Sequence, residues 1–190
     1  MFSRRTLLSA LALSAAGWGL SAQAAGQTLV PAQSEVTFVA KQLGVPLQGR
    51  FKRFQAQTTF DPKSPATSKI AFELDLGSVS LNADADAELP KAEWFNVPKF
   101  PKATFQSTAI KALGGGKFQV SGKLAIKGQA RDLAVPVTLT QAKGLSTATG
   151  AFTLKRLDYR IGEGDWTDTS IVANDVQVQF KLVLQGVPAL

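Results

Sequence analysis

The feature that most constrains this chain is an alternation of apolar and polar residues that recurs in segment after segment. In Phe118–Ile126 and Val176–Leu184 every second residue is apolar or glycine, with mostly lysine, glutamine and serine between. A period of two with one polar face is typical of half-buried antiparallel strands. It predicts eight strands, over Ser34–Ala40, Leu47–Phe60, Ile70–Leu76, Thr104–Lys111, Phe118–Ile126, Leu133–Leu139, Thr147–Leu157 and Val176–Leu184.

Two segments depart from this regular pattern. In the long second strand Phe51 belongs to the odd-numbered apolar set, whereas Phe54 and Phe60 belong to the even-numbered set. The change of phase predicts a bulge or sharp bend at Lys52–Arg53. The alanine-rich stretch Asn82–Leu89 lacks β-branched residues and predicts a short helix. Strands with turns between them and one helical insertion predict an all-β barrel or sandwich.

The residue types that are missing exclude much chemistry. The 190 residues include no cysteine and no histidine. A disulfide, a thiolate nucleophile, a zinc–thiolate site and a Ser-His-Asp triad are therefore all excluded. We predict no enzyme activity, no cofactor and no metal. The 21 basic and 14 acidic residues are spread along the strands, and we predict no nucleic-acid partner.

Two groups of acidic residues offer alternatives to this view. Four residues with side-chain oxygens fall at the ligand positions of a calcium-binding loop: Asn82, Asp84, Asp86 and Glu93. Because Ala87 stands where the sharp turn of such a loop needs glycine, a solvated helix face is favoured. A second acidic group lies near Trp166 and consists of Glu163, Asp165 and Asp168. It could supply the carboxylate pair of a carbohydrate-cleaving hydrolase. A surface loop is favoured, because spacing along the chain does not fix the distance between two carboxylates across a site.

The N-terminal segment reads as an export signal. Arg4 and Arg5 precede an apolar run, and Ala22–Ala24 forms a small-residue cleavage motif. This order predicts a secretory signal peptide over residues 1–24, cleaved after Ala24, and a single mature domain over residues 25–190. Ser3–Leu8 also resembles a twin-arginine signal, with an ordinary Sec signal as the alternative. Either route predicts an exported, periplasmic protein.

The phenylalanines on the predicted strands are the candidate site. Inward-facing apolar residues look the same in a solid aromatic core and in an aromatic channel, so alternation leaves both open. For a channel, the predicted lining is Phe38, Phe51, Phe72, Phe105, Phe118, Val120, Leu124 and Phe152. Three further aromatic residues are predicted to form its mouth or plug: Trp94, Phe95 and Trp166.

An ordered series of short motifs resembles the YceI-like family of polyisoprenoid-binding periplasmic proteins. The F-P-x-A-T-F-x-S core at Phe100–Ser107 is the most specific of them. Others, in chain order, are Ser34–Phe38, Gly49–Phe54, Trp94–Val97, Val120–Gly128 and Phe152–Tyr159. Many members carry Arg-Asp-x-His-Leu where this chain has Ala85-Asp86-Ala87-Glu88-Leu89, which leaves the headgroup preference open.

The resemblance implies an extended lipocalin-like eight-stranded antiparallel barrel with one short helical insertion. It implies non-catalytic binding or carriage of a long isoprenoid lipid, of ubiquinone or polyprenyl type. The alternative is a non-enzymatic stress-associated or interaction protein with a filled barrel core. Arg50, Lys52 and Arg53 form the densest basic group, which either stays solvated or makes transient contact with anionic lipid headgroups of a membrane surface at the barrel mouth. The sequence leaves the oligomeric state open, a homodimer included.

Overall fold

The computed structural model describes residues 26–190 as an antiparallel β-sheet with one α-helix, α1 (Ala83–Glu88). The predicted signal peptide lies outside these residues. The strands are β1 (Thr28–Leu29), β2 (Glu35–Gln42), β3 (Val45–Phe51), β4 (Phe54–Thr59), β5 (Lys69–Asp75), β6 (Val79–Ser80), β7 (Lys102–Gly114), β8 (Lys117–Ile126), β9 (Gln129–Ala142), β10 (Leu145–Lys155) and β11 (Asp175–Gln185). Short 3₁₀ turns occupy Pro31–Gln33, Pro65–Thr67, Leu76–Ser78, Arg156–Tyr159 and Gly164–Thr167.

The sheet closes into a barrel at the bend between β3 and β4, which together correspond to the predicted second strand. The hydrogen-bonded order is β4-β5-β7-β8-β9-β10-β11-β2-β3-β6, so β3 and β4 stand near opposite ends of it. They are nevertheless consecutive in the chain, and only Lys52 and Arg53 separate them. Hydrogen bonds cross this bend, from Lys52 N to Ser78 O at 3.1 Å and from Asp75 N to Arg53 O at 3.0 Å. The predicted bend and the predicted antiparallel barrel with one short helix are confirmed.

Tight turns join the later strands where the sequence places Lys-Gly pairs. Lys127 and Gly128 have φ of 49° and 76°, and Lys143 and Gly144 have φ of 52° and 77°. Two consecutive positive φ values define a type I′ turn, whose backbone twist matches that of the two strands it joins. These turns fix the register of β8 with β9 and of β9 with β10.

One seam in the wall is unpaired over part of its length. The β9–β10 ladder ends at Val137↔Gly150, although β9 extends back to Gln129 and β10 extends forward to Lys155. The next residue of β9 is Pro136, which has no N–H to give to a ladder. Beyond this point β9 pairs with β8 and β10 pairs with β11.

The barrel has two different ends. We call the end that carries residues 81–101 and 156–174 the upper end, and the end that carries the turns at 114–117 and 142–145 the lower end. Buried residues form one apolar cluster towards each end. The upper cluster is Leu76, Val79, Phe95, Ala103, Leu124, Ile126, Tyr159 and Ile161, and the lower cluster is Phe60, Ile110, Phe118, Val120 and Leu139.

The helical segments are all short. None of the helices within residues 26–190 has the length and apolar character that a membrane-spanning helix needs. α1 begins at the Asn82 cap, whose side-chain oxygen accepts a hydrogen bond from Ala85 N at 2.9 Å. Asp86 accepts a hydrogen bond from Leu81 N at 2.6 Å. Two of the four residues considered as an alternative calcium loop, Asn82 and Asp86, therefore accept hydrogen bonds from backbone N–H groups at the start of this helix.

Candidate functional site

The interior of the barrel contains an apolar cavity of about 270 Å³. Its walls are the inward sets of the alternating strands, together with the segment after α1 and the loop after β10. Carbon-rich side chains make up nearly all of the lining, including Val36, Ala56, Ile70, Leu74, Leu89, Leu133, Val135, Leu154, Val176, Val178, Phe180 and Leu182. A cavity with such a wall suits a hydrocarbon chain.

Most of the residues proposed as channel lining lie at this cavity. Those that do are Phe38, Phe51, Phe72, Phe105, Val120, Leu124 and Phe152. Phe118 does not line it, because its ring packs edge to face against Phe60 at 5.2 Å between centroids in the lower cluster. As contacts to a ligand, all of these residues stay predictions.

The three aromatic residues assigned to a mouth or plug lie together at the upper end. Trp94 and Phe95 line the cavity, and Trp166 packs against Trp94 with 5.2 Å between ring centroids. Trp166 itself lies outside the lining. Phe51 links this group to the wall, 6.2 Å from Phe95 and 5.5 Å from Phe38. The upper end therefore holds two aromatic groups, the Trp94–Trp166 pair and the series Phe95–Phe51–Phe38, which continues along the cavity wall.

A buried arginine among the lining residues was not among the sequence candidates. Arg156 is 2% exposed, and its guanidinium donates to backbone carbonyl oxygens at 2.6–3.2 Å. The acceptors are Ile161, Gly162, Trp166, Val172 and Ala173. Burial lowers the pKa of Arg156 below its usual value. Because its donors point at the loop, the guanidinium holds residues 161–173 in place.

A second polar network fastens the loop to the neighbouring hairpin. The Lys127 ammonium, whose side chain is 5% exposed, donates to Glu93 O, Arg160 O and a Glu163 carboxylate oxygen. Arg160 contacts the other Glu163 oxygen. These interactions, with the hydrogen bond from Lys127 first among them, lower the pKa of Glu163 below its ordinary value of 4.5. Backbone N–H groups of Gly162 and Glu163 both donate to Glu93 O at 2.8 Å.

Hydrogen bonds favour the charged form of two acidic residues near Trp166, Glu163 and Asp168. Glu163 is held as a carboxylate between two cations. The Asp168 carboxylate accepts from the hydroxyl and the N–H of Ser170, which lowers its pKa, and Asp165 is exposed. A general acid needs a raised pKa, and the two shifts found here run the other way.

The charge around the upper end is predominantly acidic. Residues 81–101 and 156–174 together contain eight acidic and four basic side chains. Arg50 and Lys52 are exposed, and Arg53 forms an ion pair with Asp75 at 2.8 Å. The proposed basic group is therefore smaller than the sequence suggested, because one of its members is neutralised.

Several cavity-lining residues were not among the candidates named from the sequence, although the alternation of apolar and polar residues could have identified them. Val178, Phe180 and Leu182 stand in the same period-two set, and β11 contributes them as a row. Leu133 and Leu154 lie on either side of the unpaired seam. Arg156 carried no such signal, since a charged residue at a strand end ordinarily faces solvent.

A closed antiparallel sheet around a carbon-lined cavity defines a β-barrel of the class that can enclose a slender apolar molecule. The model of the YceI-like domain matches residues 27–184, and the chain belongs to this family. It is 40% identical over 106 residues to Protein YceI of Salmonella arizonae and of Salmonella enteritidis. That match covers 55% of this chain and 53% of those proteins, so the chain spans about half the length of the curated relatives it matches.

Solved structures share this architecture. BcnA of Burkholderia cenocepacia has a TM-score of 0.79 and 41% identity, covering 82% of this chain and 98% of that one. A polyisoprenoid binding domain from Saccharophagus degradans, implicated in plant cell wall breakdown, has a TM-score of 0.67 and 18% identity over 86% of this chain and 99% of its own. The Campylobacter jejuni YceI protein has a TM-score of 0.66 and 24% identity, covering 72% of this chain and 83% of its own. The last two likenesses are evidence of the fold alone.

Proposed function

We propose that the protein binds the tail of a long isoprenoid lipid in the barrel cavity and carries it in the periplasm without chemical change. The observation that carries this proposal is the cavity of about 270 Å³ walled by aliphatic and phenyl groups. The Saccharophagus degradans domain of the same fold is described as polyisoprenoid binding, which supports the ligand class. The signal peptide predicted over residues 1–24 supports the compartment.

The size of the cavity sets what it can hold. Scaled from a 150 Å³ cavity that binds benzene, it accommodates on the order of ten carbon atoms. At about 0.8 kcal/mol for each buried methylene, these carbons contribute about 8 kcal/mol, which is equivalent to micromolar affinity before association costs. A quinone or polyprenyl tail is longer than this. We therefore expect the lining side chains to move apart or one end of the lipid to stay outside the barrel.

The alternative of a completely filled core fits only part of the molecule. The lower cluster is solid, with Phe60 and Phe118 in edge-to-face contact. The remainder of the interior is hollow, and Phe38, Phe72 and Phe152 face that space. The lipid-binding proposal accounts for this hollow part, which a filled core does not.

The decisive experiment is to identify what the protein carries. We would purify the full chain after expression and export in bacteria, extract it with organic solvent, and analyse the extract by lipid mass spectrometry. We expect a prenyl lipid in near-stoichiometric amount. Finding no prenyl lipid, together with no uptake of added ubiquinone-type or polyprenyl lipid, would contradict the proposal.

A matched pair of variants ties the lipid to the cavity. Val178 lines the cavity, while Gln177, the preceding residue of β11, is exposed. The substitution Val178→Trp fills the interior and should abolish lipid recovery, whereas Gln177→Trp should leave it unchanged. Equal recovery from both variants would place the lipid elsewhere on the protein.

We also propose that exchange of the lipid involves transient contact with a membrane surface through the β2–β3 hairpin. Leu43 and Val45 are 71% and 58% exposed at its tip, next to the exposed Lys41. The hairpin is joined to the loop after β10 by a hydrogen bond from Leu43 N to Ile171 O. The acidic surplus nearby weakens attraction to anionic lipid and keeps the contact brief. Lipid transfer from vesicles should slow several-fold in Leu43→Ser/Val45→Ser; an unchanged rate would refute the contact.

A further inference from the structure

Three glycines of the barrel wall lie directly beneath phenyl rings. A Cβ built on Gly49 would lie 2.3 Å from Cζ of Phe38, and a Cβ on Gly150 would lie 2.4 Å from Cζ of Phe180. A Cβ on Gly122 would lie 2.5 Å from Cζ of Phe105. Carbon atoms in favourable contact are about 3.5–4.0 Å apart. None of the three rings could keep its position if its glycine carried a side chain.

The register explains how two of the three rings come to lie on a glycine, whereas Phe105 is paired with Leu124 and reaches Gly122 diagonally, two residues earlier on β8. Phe38 is the cross-strand partner of Gly49, and Phe180 is the cross-strand partner of Gly150. Cross-strand partners project from the same face of a sheet. The missing side chain therefore leaves a space on the inner wall, and the neighbouring ring occupies that space rather than the centre of the barrel.

The phenylalanines of the lower cluster lack this arrangement. The cross-strand partners of Phe118 are Ala112 on β7 and Val137 on β9. Its ring meets Phe60 edge to face and fills the interior. The three rings that lie on glycine all line the cavity. These three rings thus leave the space in front of them open, whereas the Phe118 ring fills the interior at its level.

We propose that these three Gly–Phe pairs set the width of the lumen and make binding selective for the thickness of the ligand chain. With the rings against the wall, the lumen admits a methyl-branched chain. A side chain at the glycine position would push the ring inwards by about 1 Å, given the contact distances above, and leave room for an unbranched chain only. This inference rests on the proposed function and specifies the ligand class as branched rather than straight hydrocarbon.

Gly49 is the pair that can be tested most cleanly. The three heavy atoms nearest to its added Cβ all belong to the Phe38 ring. At Gly122 and Gly150 the added atom would also meet a backbone oxygen, that of Gln106 at 2.3 Å or that of Pro136 at 2.9 Å. Backbone cannot move aside without damage to the sheet, so Gly49→Ala alone isolates the effect on a ring. Gly26, with no heavy atom within 4 Å of its added Cβ, gives the matched control Gly26→Ala.

The experiment measures the affinities of the full-length protein and its variants for hexahydrofarnesol and dodecanol. These saturated alcohols have equally long main chains and differ only in methyl branches. We expect Gly49→Ala to weaken binding of the branched alcohol at least tenfold, within the range of 10–200-fold that one methylene is worth in an apolar pocket. Binding of dodecanol should change less than threefold, and Gly26→Ala should change neither affinity.

A second substitution distinguishes a narrowed lumen from general damage. Phe38→Leu added to Gly49→Ala removes the displaced ring and should restore the ratio of the two affinities. Phe38→Leu alone, which keeps Gly49, should shift the ratio further towards the branched alcohol. An unchanged ratio in Gly49→Ala, or equal weakening of both alcohols, would overturn the inference. Failure of the unsubstituted protein to bind either alcohol would instead contradict the proposed function.

Discussion

The two ends of the barrel are stabilised by different kinds of interaction. At the lower end Phe60, Ile110, Phe118 and Leu139 meet across the interior and exclude space from it. At the upper end most of the buried apolar residues line the cavity, and buried polar groups around the rim hold the loops. Side chains that border a cavity pack on one side only, so polar contacts at the rim add to their stability. The comparison indicates that, where a barrel encloses a cavity, hydrogen bonds and ion pairs at its rim contribute stability that packing across the interior supplies elsewhere.

The largest expected effect comes from removing the buried guanidinium at the upper end. Arg156→Met deletes its hydrogen bonds to five carbonyl groups and leaves them without those donors. We expect a loss of about 4–5 kcal/mol in the free energy of unfolding, measured by urea denaturation. The control Arg53→Met removes an exposed ion pair and should cost at most about 1 kcal/mol. Similar losses in the two variants would show that the rim is not held in this way.

The next effect contrasts a packed phenylalanine with one that faces the cavity. Phe118→Ala opens a void in the lower cluster and should cost about 3–4 kcal/mol. Phe72 is only half-buried and already borders empty space, so Phe72→Ala should cost about 1–2 kcal/mol. The same urea titrations measure both values. If Phe72→Ala proved the more costly, the proposed division between solid and hollow parts would fail.

The smallest effect depends on pH and concerns the rim network. The pKa of Glu163 is lowered in the folded protein, so its carboxylate contributes stability above its unfolded pKa of about 4.5. That contribution disappears as the pH falls through the lower, folded pKa. Glu163→Gln should therefore cost about 1 kcal/mol at neutral pH.

The difference between wild type and Glu163→Gln should close in acid, where the wild-type carboxyl is protonated. Thermal unfolding followed by circular dichroism from about pH 7 to about pH 3 measures this difference. The control Asp165→Asn alters an exposed carboxylate that forms no ion pair within residues 26–190 and should have no effect at either pH. A difference that stays constant with pH would exclude the Glu163 charge as its source.

Much of the fold could be predicted from the sequence because a half-buried strand shows an alternation of apolar and polar residues within a few neighbouring positions. Alternation located the long strands, and the change of phase between Phe51 and Phe54 located the bend that closes the sheet. Alternation also placed Phe105 and Val120 on the inner face. It could not separate Phe118 from Val120, since both belong to the same inward set of β8.

Arg156 illustrates what remains hidden in the sequence. Nothing in its immediate neighbours distinguishes it from a solvent-facing residue at a strand end. Its acceptors come from residues 161–173, and they converge on the guanidinium only after the chain has turned back at the upper end. Hydrogen bonds to backbone carbonyls also leave no mark on residue type, because every residue supplies a carbonyl.

Antiparallel strands with one apolar face could be predicted from the residues alone, because a two-residue period is a property of neighbours in the chain. Which part of the interior is solid and which is hollow depends on contacts between strands that are far apart in the chain. Empty space depends on whether rings from distant strands meet one another, as Phe60 meets Phe118, or lie against glycine, as Phe38 lies on Gly49.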